Sequence, residues 1–365
     1  MSRALAIGAA ALVLAAPASA APPEVAARAY VVENGATGEV LAAVRPRARV
    51  PIASITKLMT VLVALEEARP ELHITVDSAA TSVGESTINL RPGERITVGE
   101  LVEAALIQSA NDAAWALAAG LGKRDVAHFV ARMNAKAREL GMRDTHFVRP
   151  DGLDVPSHYS SARDVTLLAR VAMRNPVIRA IVDEPTGTIS GGRRLHTWND
   201  LLGTLRGTIG VKTGHTAAAG WSQVAAVRAP GFVLYATLLG GPTRARRNAD
   251  LASLIGWGLS LYRSVEVISA RRVYARADVG YGRRPLDVVA PGRIVRSVRV
   301  ARPLREVVVA PKVARLPVRA NQRLGVVRVF DGKRLVAESP LLASRSVARP
   351  GLASRVWWKV RSVFP

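Results

Sequence analysis

The chain has 365 residues, 49% hydrophobic and 22% charged, which excludes a wholly disordered or collagen-like protein and fits one to two domains. Aromatic residues make up only 5%, so the core must rest on Ala, Val and Leu. The formal charge is +23, and the absence of cysteine excludes disulfides, thiolate metal sites, a cysteine nucleophile and a lipid-modified N-terminal Cys.

Arg3 precedes an unbroken apolar run from Ala4 to Ala16, which Pro17 ends. Ala18-Ser19-Ala20 is a small-x-small cleavage site, so residues 1–20 read as a secretory signal peptide and the mature chain starts near Ala21. The run is shorter than the roughly 20 residues a spanning helix needs, and no second long apolar run follows. The protein is therefore expected to be exported.

Tyr30-Val31-Val32, a turn with Asn34, Gly35 and Gly38, and Val40-Leu41 predict a hairpin over 30–42. Residues 54–69 predict a helix, apolar through Leu58, Val61, Leu62 and Leu65 and stopped by Pro70. Helices follow over 98–106, 111–119, 125–140 and 161–174, with Gly141 and Pro176 as stops. The period then changes to that of strands in Val211–His215, Trp221–Val227 and Phe232–Leu239, separated by Gly-rich turns, which suggests an antiparallel sheet. A closing helix is expected over 248–262. Beyond Val265, short Val-rich runs punctuated by Gly and Pro suit a small all-β domain.

Residues 265–365 hold 22 Lys+Arg and 6 Asp+Glu, a net of +16. Export argues against nucleic acid as the partner of this charge, and the region has no aromatic-rich stacking motif. Anionic lipid head groups or an anionic wall fit better, and an Arg-rich genomic composition explains the charge equally well. After a linker at 345–351, a helical wheel puts Leu352, Val356, Trp357, Val360, Val363 and Phe364 on one face and Arg355, Lys359 and Arg361 opposite, with Trp358 the misfit. That pattern suits a helix lying in a membrane interface; a terminal helix packed on the protein is the alternative.

Three short elements carry chemistry together. In Ser54-Ile55-Thr56-Lys57, residues three apart share a helical face, so the Lys57 amine sits beside the Ser54 hydroxyl. A hydroxyl needs a base, and a lysine serves if burial lowers its pKa. Ser54 would lie at the helix N-terminus, where free N–H groups could stabilise an oxyanion. Read singly, the motif equally describes an N-cap serine with a surface lysine. Ser109-Ala110-Asn111 lies between two apolar helices and alone reads as an N-cap turn. Lys212-Thr213-Gly214 lies on a strand after Gly210. Its Gly214 lets a ligand approach the backbone, and Lys212 with Thr213 can hold a carboxylate. A solvent-facing edge lysine is the bland reading.

Jointly, Ser-x-x-Lys, Ser-x-Asn and Lys-Thr-Gly resemble the active-site signature of penicillin-binding proteins and serine β-lactamases. Pro51–Thr60, Gln108–Asp112, Asp151–Asp154, Tyr159–Asp164 and Gly210–Thr216 sharpen this to a resemblance to D-alanyl-D-alanine carboxypeptidases, the low-molecular-weight penicillin-binding proteins. The resemblance is strong over 25–260 and mostly architectural beyond 265. It implies an α+β fold: a penicillin-binding-protein-like catalytic domain (21–262) with an antiparallel sheet and a helical block, a small β-rich domain (265–345), and a linker with an amphipathic membrane-anchor helix (346–365).

The resemblance also implies roles. Ser54 would form the acyl-enzyme with the penultimate D-alanine carbonyl of a peptidoglycan stem peptide, and Lys57 would take its proton. Ser109 would relay a proton to the leaving D-alanine, and Asn111 would hold the substrate amide. Lys212, Thr213 and Gly214 would bind the terminal carboxylate, assisted by Arg247, the best match to an arginine after Gly240-Gly241. The Ser54 and His215 backbone N–H groups would form the oxyanion hole. No metal or cofactor is implied. The partners would be peptidoglycan peptides and β-lactams, at the periplasmic face of the inner membrane, with an anionic membrane surface held by the terminal helix. Ala217 and Asn34 depart from acidic residues frequent in relatives, and the terminal helix is short. The competing activities are a DD-endopeptidase that cleaves peptidoglycan cross-links, a serine β-lactamase and a non-catalytic β-lactam sensor. Class A β-lactamases add a glutamate for deacylation, and Glu139 and Glu184 lack its expected surroundings.

Overall fold

The computed structural model describes residues 5–12, 21–123, 125–300 and 302–352. Strand β1 (Leu5–Leu12) falls inside the expected leader. The chain divides into two units, Ala21–Leu259 and a second formed by Ser260–Pro365 with Met1–Ala20.

In the first unit, β2 (Ala29–Asn34) and β3 (Glu39–Val44) form the expected hairpin. The Asn34 side chain shapes its turn by accepting from the Ala36 and Thr37 N–H groups at 3.0 and 3.3 Å, as an aspartate would. A 3-10 turn over Ala53–Thr56 leads into α1 (Lys57–Glu67), so Ser54 precedes the α-helix proper. Leu58, Met59, Val61, Leu62 and Val63 are all buried, making α1 the central helix of the core.

A small hairpin, β4 (His73–Thr75) with β5 (Arg95–Thr97), encloses α2 (Ser78–Thr81). A capping box between Thr97 and Glu100 starts α3 (Val98–Leu106), and α4 (Asn111–Leu121) follows across the Ser109 loop. Asp125 caps α5 (Val126–Glu139) and Ser161 caps α6 (Ala162–Ala172). Helix α6 ends before Pro176, as expected, and Pro176 also opens a further short helix, α7 (Pro176–Ile181), behind the Asn175 cap. Proline's fixed φ suits a first helical turn.

The hairpin β6 (Thr186–Ile189) with β7 (Arg193–His196) precedes the three long strands β8 (Thr208–Thr216), β9 (Gly220–Ala229) and β10 (Phe232–Gly241). The main sheet is antiparallel with order β3-β2-β10-β9-β8, so β8 is an edge strand. That leaves one side of β8 for the serine turn. Helix α6 packs on the sheet through a buried Thr166–Thr237 hydroxyl pair at 2.7 Å. The closing helix α8 (Arg244–Ser260) begins four residues before the expected start. Its first turn is polar, so apolar periodicity misses it; the Thr243 hydroxyl accepts from the Arg246 N–H at 3.1 Å.

The second unit is β-rich, as expected. A ribbon pairs β11 (Tyr262–Ile268) with β14 (Ile294–Arg299). A sheet of order β1-β15-β16-β17-β13-β12 contains β12 (Val273–Ala277), β13 (Leu286–Val289), β15 (Leu304–Pro311), β16 (Arg323–Asp331) and β17 (Arg334–Ala343). Ile268, Leu286, Val288, Val327 and Leu341 form its separate core. The expected terminal helix lies, from residue 353 on, outside the described residues. Among the described residues, no helix is long and apolar enough to cross a membrane.

Candidate active site

Ser54 sits in the 3-10 turn between two glycines. A Cβ on Gly214 would lie 2.6 Å from the Ile52 carbonyl oxygen, and one on Gly152 would lie 2.0 Å from that of Ala53. Both positions therefore require glycine if β8 and the Asp151–Asp154 loop are to reach the turn. Ala53 itself takes a left-handed φ of 49°, a conformation that costs a residue with a Cβ about 1–2 kcal/mol. The neighbouring Thr56 hydroxyl is held by His158 at 2.8 Å. His158 Nδ1 accepts from the Val148 N–H at 3.1 Å, so Nε2 carries the proton in the neutral ring. Burial pulls the pKa of this imidazole down to about 4.

Lys57 is fully buried. Its amine donates to Ser54 Oγ at 2.7 Å, to Asn111 Oδ1 at 2.6 Å and to the Asp151 carbonyl at 2.9 Å. Those three acceptors use every donor of an ammonium. Burial pulls its pKa down to about 8, against the pull of the Asp151 and Glu85 charges. Asp151 is itself buried: desolvation pushes its carboxyl up, but the Arg149 bond and the Lys57 charge outweigh that and hold it low. Trp115 Nε1 donates to the same carboxylate at 2.6 Å.

The Ser109 loop forms the second wall. Ser109 has a left-handed φ of 65° and Asn111 opens α4. Asn111 is tied at both ends of its amide, to Lys57 and, through Nδ2, to the Gly84 carbonyl at 2.8 Å. Buried Asp112 secures the facing loop by accepting from the Ile88 and Leu90 N–H groups at 3.1 Å. The Gln108 carbonyl accepts from Trp198 Nε1 at 3.1 Å, which stands that ring at the cleft.

The third wall is β8. Lys212 is buried, which removes the edge-lysine alternative. It donates to Ser109 Oγ at 2.8 Å and to the Thr213 carbonyl at 3.0 Å, which leaves one donor over among the described residues. Burial holds its amine well below the ordinary value, and the Lys57 and Arg247 charges add to that. The far end of β8 is pinned by Asp154, which accepts from the Thr216 hydroxyl at 2.7 Å and the Ala218 N–H at 3.1 Å. His215 stacks on Trp221 with centroids 3.9 Å apart.

Arg247 projects from α8 with its side chain 1% exposed. Burial pulls its pKa down to about 10, against the Asp200 charge. Asp200 accepts from Arg244 at 2.7 and 2.5 Å, from Arg247 at 3.2 Å and from Asn248 at 2.7 Å. The Arg244 bond chiefly holds this carboxyl low. The sequence reading missed this knot. Its signal was the run Arg244-Ala245-Arg246-Arg247-Asn248, obscured by starting the helix at 248.

A cleft of about 290 Å³ unites these walls; Ser54, Ser109, Asn111, Thr213, His215 and Arg247 all line it. The motifs therefore meet in one place, together with Glu85 and Arg244, which the motifs do not name. A serine on a buried lysine, opposite a second buried lysine on an edge strand, defines the class of serine enzymes with the penicillin-binding fold.

The chain belongs to the D-alanyl-D-alanine carboxypeptidase family of serine peptidases, family S11, whose model matches residues 16–243. It is a serine-type D-Ala-D-Ala carboxypeptidase of cell-wall metabolism. It is 29% identical over 362 residues to the carboxypeptidase DacD of Salmonella typhimurium, covering 92% of this chain and 90% of that one. Against DacB2 of Mycobacterium tuberculosis it is 36% identical over 257 residues, covering 67% and 87% respectively. Among solved structures it is similar to penicillin binding protein 5 from Haemophilus influenzae, with a TM-score of 0.66, 25% identity, and coverage of 90% of this chain and 100% of the other. The Streptomyces K15 DD-transpeptidase matches with a TM-score of 0.63, 29% identity, and coverage of 66% and 100%.

Proposed function

We propose that Ser54 is the nucleophile and Lys57 its base in removing the terminal D-alanine of peptidoglycan stem pentapeptides. Lys57, as the free amine, takes the Ser54 proton while Oγ bonds to the penultimate carbonyl carbon. The carbon–nitrogen bond breaks, and Ser109 passes a proton to the departing amine. Water then releases the shortened peptide and regenerates Ser54. The Ser54 and His215 N–H groups hold the oxyanion, and Asn111 positions the substrate amide. Lys212, Thr213, Gly214 and Arg247 receive the terminal carboxylate, whose charge raises the depressed Lys212 pKa, so protonation of Lys212 and substrate binding are linked. The observation that carries this reading is the 2.7 Å contact between Ser54 and the fully buried Lys57 amine.

The test is labelled penicillin. It should attach to Ser54 and fail to attach in Ser54→Ala; a label mapped by mass spectrometry to another serine overturns the assignment. A D-Ala-D-Ala peptide should release free D-alanine, and amidating its C-terminus should slow release by at least about tenfold, since a buried cation loses its partner. A DD-endopeptidase would instead cleave a cross-linked dimer and leave the pentapeptide intact.

For location, we propose export with loss of residues 1–20 and peripheral attachment to anionic membrane through residues 352–364. The supporting observation is the sequence pattern of basic and apolar faces. Full-length protein should co-sediment with anionic vesicles, partly reversibly in salt. A chain ending at residue 349 should stay in the supernatant, and equal sedimentation of both would dismiss the anchor.

A further inference from the structure

A second cavity, of about 450 Å³, lies between the β2–β3 turn, the β9–β10 turn and the last turn of α6. It is remote from the serine. Trp221 lines the cleft and Arg228 lines this cavity, both on β9. Their separation along the strand, at about 3.3 Å per residue, is about 23 Å.

Arg170, Arg174, Arg228 and Tyr235 line it. Arg170 donates to Glu33 at 2.7 Å, which neutralises one guanidinium. Arg174 and Arg228 are exposed and form no ion pair among the described residues. The negative end of α6 is masked, because Arg179 donates to the Met173 carbonyl at 3.3 Å. Two unpaired positive charges thus remain, with the Arg179 guanidinium close behind.

Tyr235 supplies an independent observation. It is only 6% exposed, and its ring is fixed against the β2–β3 turn, where a Cβ on Gly35 would lie 2.5 Å from Tyr235 Cε2. Its hydroxyl makes no hydrogen bond to the described residues and is open to the cavity rather than sealed from solvent. Burial holds the phenol above its ordinary pKa, so it is a neutral donor. A hydroxyl that reaches the cavity can donate to a ligand oxygen there in place of water. Met173, Phe232 and Val233 give the cavity an apolar flank.

We propose that this cavity binds a phosphate monoester carried on a small apolar body. Two free guanidiniums match a dianion, and arginine forks and a phenol hydroxyl suit its three terminal oxygens. The apolar flank seats the ester's organic group.

Calorimetric titration with phenyl phosphate at pH 8 tests this. The full-length protein should bind it saturably at one site. Arg174→Glu combined with Arg228→Glu should weaken binding by more than about tenfold, and Tyr235→Phe by roughly threefold or more, through loss of the hydroxyl alone. Both variants should keep normal penicillin labelling, which certifies their fold; if the charge-reversed variant fails to label, Tyr235→Phe decides. Vesicles containing phosphatidic acid separate two sources of the group: displacement of phenyl phosphate assigns a lipid headgroup and lack of displacement a soluble ester. No saturable binding, unchanged affinity in a correctly labelled variant, or benzoate binding as tightly as phenyl phosphate would each overturn the proposal.

Discussion

The two units treat charge in opposite ways. The first buries Lys57, Lys212, Arg247, Asp112, Asp151 and Asp164. In the second, despite 22 basic residues in 265–365, Asp331 is the buried ionisable side chain among the described residues. There, arginines pair at the surface, as Arg272 does with Glu306 at 2.9 Å and Arg276 with Asp287 at 3.1 Å. A buried charge must be held by many partners, and the group that holds it is then positioned for chemistry. Net charge therefore says little about where the reaction occurs, and burial of charge says much.

The sharpest test of this contrast is Lys57→Ala. It should leave a folded protein whose penicillin acylation falls by about 10²–10⁴-fold, and near-normal acylation would break the comparison. Acidity comes next. A pKa of about 8 on Lys57 means that acylation rises with pH as the amine loses its proton and levels off above pH 8. At pH 6 the free amine is about one part in a hundred, so the rate constant should lie about a hundredfold below its plateau. A rate flat from pH 6 to 9 would refute a lysine base. Asp154→Ala should release the end of β8 and slow acylation by roughly tenfold, read from the labelling rate, since two bonds to the carboxylate are lost. The smallest effect belongs to the second unit. Removing its Arg272–Glu306 pair by Arg272→Ala should change stability by less than about 1 kcal/mol in a denaturant titration, with acylation unchanged.

The motifs were legible because each compresses its geometry into a few residues: Ser54 and Lys57 one helical turn apart, Lys212 to Gly214 on one strand. What they touch was less legible. Lys57 is held partly by the main-chain carbonyl of Asp151, an acceptor no side-chain pattern reveals. Arg244 and Asp200 were missed because the polar first turn of α8 lacks apolar periodicity. Helix α7 was missed because proline marks both where a helix cannot continue, as α6 does not, and where one can begin. The β texture beyond Val265 was readable, but the order β1-β15-β16-β17-β13-β12 was not. Its Val-rich strands carry similar patterns, and similar patterns do not select neighbours.

The serine turn, wedged between Gly152 and Gly214, has an entropic consequence. With backbone from both flanks inside the space a single methyl would occupy, the Ile52–Ser54 segment has almost no alternative conformations to lose in the proposed acylation. The ordering was completed when the chain folded, so substrate binding need not supply it, and the reacting hydroxyl waits in place. A strained bicyclic lactam is equally short of internal freedom. Two rigid bodies that fit forfeit little on joining, so a rigid ligand of matching shape would lose less on entering such a seat than a flexible peptide would.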